Sequence, residues 1–582
     1  MPSTPRFLWN YHRSAAPEEA EAGAPPLPPP DEGVVRVIPL GGLGEFGQNM
    51  MVYEYGDDIV AIDCGQMFPE EELPGVDMIV PDVSYLVERI DRVRGILLTH
   101  GHEDHIGGLP YILKTLPVPV YGAPFTLRLL KARLVEHGLA ETADLREVAF
   151  RKPLRLGAFR ATFIHVTHSI VSSASIALKT PAGTIVHSGD YKIDSNPPDG
   201  EPFDFYSFTR LGEEGVLALM NDSTNIESPG ATASESSIIP DLERIFTTAP
   251  RAVIAATFSS SIHRIQTLLN IAREHGRTVF VTGLNLERNL AIARDMGYIE
   301  APDGLFAPLS AYGDFPPERA LVLTTGSQGE PLSALSRMAL GDHRQIRLAP
   351  GDTVVLSARM IPGNEKAIFR MMNHFARHDV RVIYERVARV HVSGHGYSGE
   401  LAQMIEMLNP RYLVPMHGES RHLRIHAEMA RRMGYPAERV PVIENGDVLE
   451  LTADAATVRG RLDVSRILVD GKSVGEVGEV VLRDRLHLGQ DGMVVVFMTV
   501  DRTHDRIVTG PEIISRGFVY MEESEALVET LRQLVIETFE ACDSETREDP
   551  AVLKEEVRRA VRRYLRKEFE RFPMVLPVVM EI

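Results

Sequence analysis

Thr99-His100-Gly101-His102-Glu103-Asp104-His105-Ile106-Gly107-Gly108 follows the apolar run Gly95 to Leu98. Three His and one Asp fall within the six residues from His100 to His105. A short apolar run ending in polar residues reads as a buried strand with a loop at its tip. Neutral imidazole and carboxylate are preferred ligands of zinc and also suit manganese. On a loop, His100 and His102 can point to one side while Asp104 and His105 turn to another, so one segment can serve two ions. The flanking glycines let the backbone fold closely around them.

Four residues do not fill two coordination spheres, so further ligands must come from elsewhere. His168 closes the strand FIHVTHS, Asp190 closes TIVHSGDY, and His417 closes YLVPMHGE. Each stands where an apolar strand meets a polar loop, and Asp190 is placed to bridge two cations. His165 and His187 lie inside strands and read as packing or supporting residues. Two cations about 3.5–4 Å apart can clamp both the attacking and the leaving oxygen of an in-line displacement. That chemistry is hydrolysis, and a phosphodiester gains most from such a clamp.

The chain has 582 residues, 44% hydrophobic and 24% charged, with 61 Lys+Arg against 81 Asp+Glu. At roughly 150 residues per domain the length implies about four domains or fewer large ones. The balance excludes a wholly disordered chain, a collagen-like chain and a coiled-coil rod. With a net charge of −20, nucleic acid would have to be held by a local basic groove or a metal site. Two cysteines, Cys64 and Cys542, make no disulfide framework, which fits a reducing compartment. No run approaches the roughly 20 apolar residues of a membrane span, and no secretory signal is visible. The expectation is a cytoplasmic protein without a membrane partner.

Residues 1–32 are rich in Ala, Pro and Glu and read as a disordered tail. Residues 33–230 carry short strands with interleaved helices. From 231 to 375 helical patterns alternate with apolar strands such as RAVIAAT and ALVLTTG, the pattern of a covered parallel sheet. Residues 376–463 return to the first style, as if the middle block were inserted. Residues 464–582 form a third block whose segment EEVRRAVRRYLRKEFERF sets Val557, Val561, Tyr564 and Leu565 at helical spacing among basic residues. It reads first as an amphipathic helix packed on its own domain. Gly42, Gly44 and Gly47 match a dinucleotide-binding pattern, with Asp63 where a ribose-binding acid would sit. Too few residues follow for the crossover helix, so these glycines are expected to turn between antiparallel strands.

HGHEDH, THS and SGDY, in that order, resemble the metallo-β-lactamase fold. NDSTN (221–225), HVSGH (391–395) and MHGE (416–419) resemble the further motifs of the β-CASP nucleases. GGLGEFG, FPEEELPGVD, ATFSSSIHR, TTGSQGEP, IPGN and GPEIISRGFVYM extend the resemblance to ribonuclease J over about residues 34–582. Glyoxalase II-like thioesterases share the first motif but have no use for an inserted domain or for HVSGH. An RNA-binding scaffold without catalysis would not need the intact ligand set.

The resemblance implies an α/β protein. Its core would be a metallo-β-lactamase αββα sandwich, with an inserted α/β β-CASP domain and a small α+β C-terminal dimerisation domain. It implies two zinc ions per subunit, with manganese as an alternative activating metal. One ion would be held by His100, His102 and His168, the other by Asp104, His105 and His417, with Asp190 bridging. Asp222 would orient ligands such as His417 or His105, and His395 would stand beside the scissile phosphate. His391, Val392, Ser393, Gly394 and His395 would form a phosphate pocket with Ser260, Ser261 and Ile262. Arg359, Lys366 and Arg264 lie in segments suited to line an RNA channel. Pro74, Val76 and Asp470 would hold a structural calcium. The implied activity is a 5′→3′ exoribonuclease preferring 5′-monophosphate ends, with endonuclease activity in some members. The implied partners are single-stranded RNA and a second copy of the chain, a tetramer or an RNA-degradation complex being left open.

Overall fold

The computed structural model describes residues 27–70, 73–361, 363–471, 473–475, 478–501, 504–518 and 525–582. Most of the expected N-terminal tail, residues 1–26, lies outside this set.

Two sheets face each other across one apolar layer. The first has eight strands, in the order Ala456–Arg461, Asp447–Leu451, Val35–Gly41, Met50–Tyr55, Asp58–Ile62, Val93–Leu97, Val120–Gly122 and Leu145–Glu147. The second has six, in the order Tyr412–Met416, Ala218–Asp222, Gly183–His187, Ala174–Thr180, Phe159–His165 and Pro153–Leu156. Val37, Tyr53, Val60 and Leu97 from one sheet meet Phe163, Ile176, Ile185 and Val414 from the other. Fully burying such side chains contributes about 1.5–3 kcal/mol each, so this layer fixes how the sheets face. Helices cover both outer faces. Pro124–Glu136 packs Phe125, Leu130 and Leu134 on the first sheet, and Ser398–Leu408 packs Leu401, Met404 and Ile405 on the second. The result is an αββα sandwich.

Val35–Gly41 pairs antiparallel with Met50–Tyr55, Arg36 opposite Glu54. The Gly42–Gly47 segment is therefore a turn between antiparallel strands and opens no helix. A separate five-stranded parallel sheet lies between the two halves of the sandwich in the chain. Its order is Thr278–Thr282, Ala320–Thr324, Val253–Ala256, Thr353–Leu356 and Arg381–Ile383. Val253–Ala256 and Ala320–Thr324 are buried throughout, as strands covered on both faces must be. The chain then returns, and Tyr412–Met416 joins the second sheet parallel to Ala218–Asp222. Arg466–Asp470 pairs with Met78–Pro81 and so ties the third block back to the sandwich.

The last sheet orders Arg506–Arg516, Met493–Asp501 and Met574–Glu581. Helix Pro550–Phe569 lies on it. Pro550 occupies its first turn, and the Asp549 side chain accepts from Ala551 N and Val552 N. Leu553, Val557, Val561 and Leu565 are buried against Val494, Val496 and Met498. Arg559, Arg562, Arg563 and Arg566 face outward. The helix packs on its own domain, as its pattern predicts.

Candidate metal centre

Parallel pairing aligns the strand ends. Asp222 lies opposite Met416, and His187 opposite Met220, so Asp190, Asp222 and His417 emerge at one edge. The His100–His105 segment reaches that edge from the first sheet; its second half is not the expected loop but enters the helical turn Glu103–Ile106, and the whole is pinned by backbone bonds. Cys64 N donates to His105 O (2.8 Å), Gln66 N to Glu103 O (3.0 Å) and Asn49 N to Asp104 O (3.1 Å). Gly65 makes this approach possible, since a Cβ there would lie 1.6 Å from Asp104 O.

Two donor sets result. In the first, His100 Nε2 is 2.9 Å from His102 Nδ1, and His168 Nε2 is 3.1 Å from the same atom. Asp190 Oδ2 stands 3.6 Å from His100 Nε2 and 3.8 Å from His168 Nε2. In the second, His105 Nε2 is 3.4 Å from Asp104 Oδ2 and 3.2 Å from Asp190 Oδ2. His417 Nε2 is 3.4 Å from Asp104 Oδ2 and 3.6 Å from Asp190 Oδ1. Four atoms bound tetrahedrally at about 2.0–2.1 Å stand about 3.3 Å apart. Both sets match that spacing, and Asp190 belongs to both.

The hydrogen bonds fix which nitrogens are bare. Thr99 Oγ1 donates its one proton to Asp63 Oδ2 (2.8 Å), so at 3.0 Å from His100 Nδ1 it accepts from that nitrogen. His168 Nδ1 donates to Gly394 O (2.7 Å). The Nε2 lone pairs of His100 and His168 therefore both converge on His102, where one proton cannot satisfy both. Asp190 Oδ1 is buried with no hydrogen-bond partner. A divalent cation in each set satisfies all of these atoms. The residues present fit a metal.

Electrostatics divide the cluster. Burial holds His100 and His168 well below the ordinary imidazole range and His102 down at about 4, the neutral form a metal needs. Burial also pulls on His105 and His417, but Asp190 and Asp104 outweigh it; His105 is raised, and His417 is pushed up to about 10. Burial disfavours the Asp190 and Asp104 carboxylates, yet the charge of His105 leads in holding both well below the usual range. Protons there occupy the place of a cation, so metal uptake in this half releases them.

The supporting residues differ in part from expectation. Asp222 Oδ2 accepts from His395 Nδ1 (2.8 Å), and Asp222 Oδ1 lies 3.5 Å from His417 Nδ1. Thr224 Oγ1 donates to Asp222 Oδ1 (2.7 Å) and so accepts from His417 Nδ1 (2.7 Å). His105 instead gives its Nδ1 proton to Asp63 Oδ2 (2.8 Å). Asp63 sits at φ 61 and also accepts from Thr99 N at 2.8 Å. Sequence reading missed Asp63 and Thr224; their signal was a polar residue closing an apolar strand. His187 bonds Tyr53 OH (2.8 Å) and His165 approaches Glu201 O (3.2 Å), so neither is a ligand in either set.

HVSGH borders the cluster. His395 Nε2 lies 3.8 Å from Asp190 Oδ2. Asn225 Nδ2 donates to Ser393 Oγ (2.8 Å) and to His395 O (3.1 Å). Gly394 packs so closely that a Cβ would meet His168 Cε1 at 2.8 Å. Val392 is buried, and burial with the nearby Arg264 charge holds His391 at about 3. Ser261 is the N-cap of helix Ile262–Glu274 but makes no side-chain capping bond; Ser260 is half-buried beside it.

Arg264 does not line a channel. It is buried, pairs with both oxygens of Glu235 (2.5 and 2.9 Å) and donates to Val390 O (3.0 Å). Arg359 is exposed and reaches Asn225 Oδ1 (2.7 Å); Lys366 is exposed. Of the residues expected to hold calcium, Pro74 and Asp470 come together beside a guanidinium. Arg485 Nη2 bonds Asp470 Oδ2 (2.5 Å), and Nη1 donates to Pro74 O (3.2 Å).

The fold and this site define a metallo-β-lactamase-type hydrolase with a β-CASP insertion. Family models match in chain order: metallo-beta-lactamase superfamily over 43–226; ribonuclease J, beta-CASP domain, over 250–375; Zn-dependent metallo-hydrolase RNA specificity domain over 379–441; and ribonuclease J C-terminal domain over 480–582. The chain is 41% identical to ribonuclease J2 of Bacillus subtilis over 94% of its own length and 99% of that protein. It is 40% identical to ribonuclease J of Mycolicibacterium smegmatis (96% and 99%) and 39% identical to ribonuclease J of Thermus thermophilus (97% and 97%). The chain belongs to the ribonuclease J family. A crystal structure of an Enterococcus faecalis protein of unknown function shares the fold alone, with TM-score 0.50 and 16% identity over 75% of this chain and 100% of that one. Among the described residues, no helix is long and apolar enough to cross a membrane.

Proposed function

We propose that this protein is a metal-dependent ribonuclease that hydrolyses RNA phosphodiester bonds. On this reading it degrades single-stranded RNA 5′→3′ from 5′-monophosphate ends, with endonucleolytic cleavage as a second mode, in RNA maturation and decay in the cytoplasm. The observation that carries it is the pair of donor sets sharing Asp190 beside His395. His100, His102, His168 and Asp190 would hold one zinc, and Asp104, His105, His417 and Asp190 the other, with manganese able to replace them. When bound, such ions supply the positive charge that activates water and neutralises the phosphate.

The side chains do the rest. Asp222 accepts the Nδ1 proton of His395, which leaves Nε2 facing the cluster to hold a proton for the leaving oxygen. Asn225 fixes Ser393 and the His395 carbonyl, the His395 N–H is held by Ser393 Oγ, and the loop so shaped would offer its remaining backbone N–H groups to a phosphate. Ser260, Ser261 and Ile262 open a helix whose Arg264 is bonded to Val390 O, which sets a second anion-favouring segment against the first. A closed pocket of this kind accepts a monophosphate and lacks charge for a triphosphate.

The domain division follows the same reading: sandwich over 33–230 and 376–463, β-CASP insertion over 231–375, and dimerisation domain over 464–582. RNA carrying a 5′ label and either a 5′ monophosphate or a 5′ triphosphate tests the activity. Metal-dependent release of labelled mononucleotide from the monophosphate form is expected. No cleavage of either RNA with zinc or manganese would overturn the reading.

A further inference from the structure

The parallel sheet carries a crevice that the metal centre does not use. Val253–Ala256 connects through helix Ile262–Glu274 to Thr278–Thr282 on one side. Its neighbour Ala320–Thr324 connects through helix Ala334–Leu340 to Thr353–Leu356 on the other. The two helices pack on opposite faces, one with Leu268 and Leu269 inward, the other with Leu335 and Met338. The strand order thus reverses between these neighbours, and ligands bind open α/β sheets at the carboxyl ends of strands at such a point. A cavity of about 560 Å³ lies there, walled by the residues that follow the three strand ends. That volume suits a nucleotide-sized ligand.

The chemistry of the crevice is specific. Its walls carry the hydroxyls of Thr257, Ser259, Thr282, Thr325 and Ser327. Thr257 Oγ1 is buried and has no hydrogen-bond partner. Leu284 and Leu332 form part of the rim and are 88% and 87% exposed, a costly presentation of leucine unless something flat and apolar covers it. Glu287, Glu330 and Arg337 are the charged residues of the lining. Two carboxylates against one guanidinium disfavour a free phosphate. They suit the amino edge of a base and a ribose hydroxyl, which donate to carboxylates.

The crevice also communicates with the metal centre. Its wall at Ser259 runs directly into Ser260 and Ser261. Gln328, next to Ser327, donates to Arg359 O (2.9 Å); Arg359 Nη1 donates to Asn225 Oδ1 (2.7 Å); Asn225 holds Ser393 (2.8 Å).

We propose that this crevice receives one splayed-out nucleotide of the single-stranded RNA whose phosphate lies at HVSGH, with its base against Leu284 and Leu332 and its polar edge on the hydroxyl floor. This deepens the ribonuclease reading and rests on it. Arg337→Glu and Leu332→Asp change exposed side chains, so the fold is retained. Binding of 5′-monophosphorylated oligouridylate, eight nucleotides against two, is measured on the full chain carrying Asp104→Ala to prevent cleavage. Loss of base contact predicts about tenfold weaker binding of the octamer in each variant, with a much smaller change for the dimer. Exposed Leu340→Asp, outside the crevice, should match the parent. Equal weakening of both RNAs, or octamer binding unchanged by either substitution, would overturn the proposal. Cleavage of the dimer by the wild-type chain is scored separately. If it fails, the ribonuclease reading falls; if it succeeds while the octamer is indifferent to the crevice, only the crevice proposal falls.

Discussion

Asp63 touches neither donor set directly as a ligand, yet it decides what His105 presents. By accepting the Nδ1 proton it leaves Nε2 for the cluster, and through Thr99 it does the same for His100. One carboxylate therefore orients an imidazole in each half of the site. Asp63→Asn keeps the shape but removes the charge and one acceptor. Metal affinity should fall about 10- to 100-fold, as read by competition with a chromophoric chelator, while circular dichroism stays native. An unchanged affinity would show that the bond is incidental. The candidate ligands were legible as residue types: four crowd one motif after an apolar strand, and His168, Asp190 and His417 each follow another. Asp63 closes one too, but its sequence context suggested a ribose contact, and only the approach of Thr99 and His105 assigns it to the metal centre.

Among the elements, helix Ile262–Glu274 is tied through Arg264 both to Glu235 and to Val390 O, in the segment that leads into HVSGH. Burial disfavours the Glu235 carboxylate, but the Arg264 guanidinium outweighs it and holds the group down at about 2. A carboxyl depressed on folding stabilises above its unfolded value, near 4.3, and that contribution is lost as pH falls towards 2. It is worth on the order of 3 kcal/mol. Glu235→Gln should therefore lower stability at pH 7 and narrow its gap to wild type between pH 4.5 and 2, as followed by denaturant unfolding. A constant gap over that range would refute the linkage. Arg264 read as a channel residue because a sequence does not distinguish a buried arginine from an exposed one. Arg485 was missed for a related reason. Pro74 and Asp470 do come together, but they meet around a guanidinium supplied fifteen residues beyond Asp470.

Across the whole chain, the alternation of strands and helices was enough to see an α/β protein with a parallel unit set into it; the sandwich itself came only with the resemblance to the metallo-β-lactamase fold. Strand pairing across hundreds of residues, such as Ala218–Asp222 with Tyr412–Met416, was visible only as a change of style. The last sheet leaves a cross-strand row uncovered: Ile514 and Leu576 both pair with Val495 and are 39% and 44% exposed. We propose that this row is buried between two copies of the chain. Leu576→Asp should then convert a dimer to a monomer in sedimentation velocity at micromolar concentration. A wild-type chain that sediments as a monomer would contradict the assignment.

On the proposed function Asp190 joins two metal sites into one hydrolytic centre, and the metal content of the protein reports on this without any assumption about substrate. Inductively coupled plasma mass spectrometry on the purified chain, alongside Asp190→Ala, counts the ions. Two divalent ions per chain are expected in the wild type, with Asp190→Ala losing occupancy and cleavage of 5′-monophosphorylated RNA together. One ion or none in a wild-type chain that cleaves RNA, or undiminished cleavage by Asp190→Ala, would contradict it.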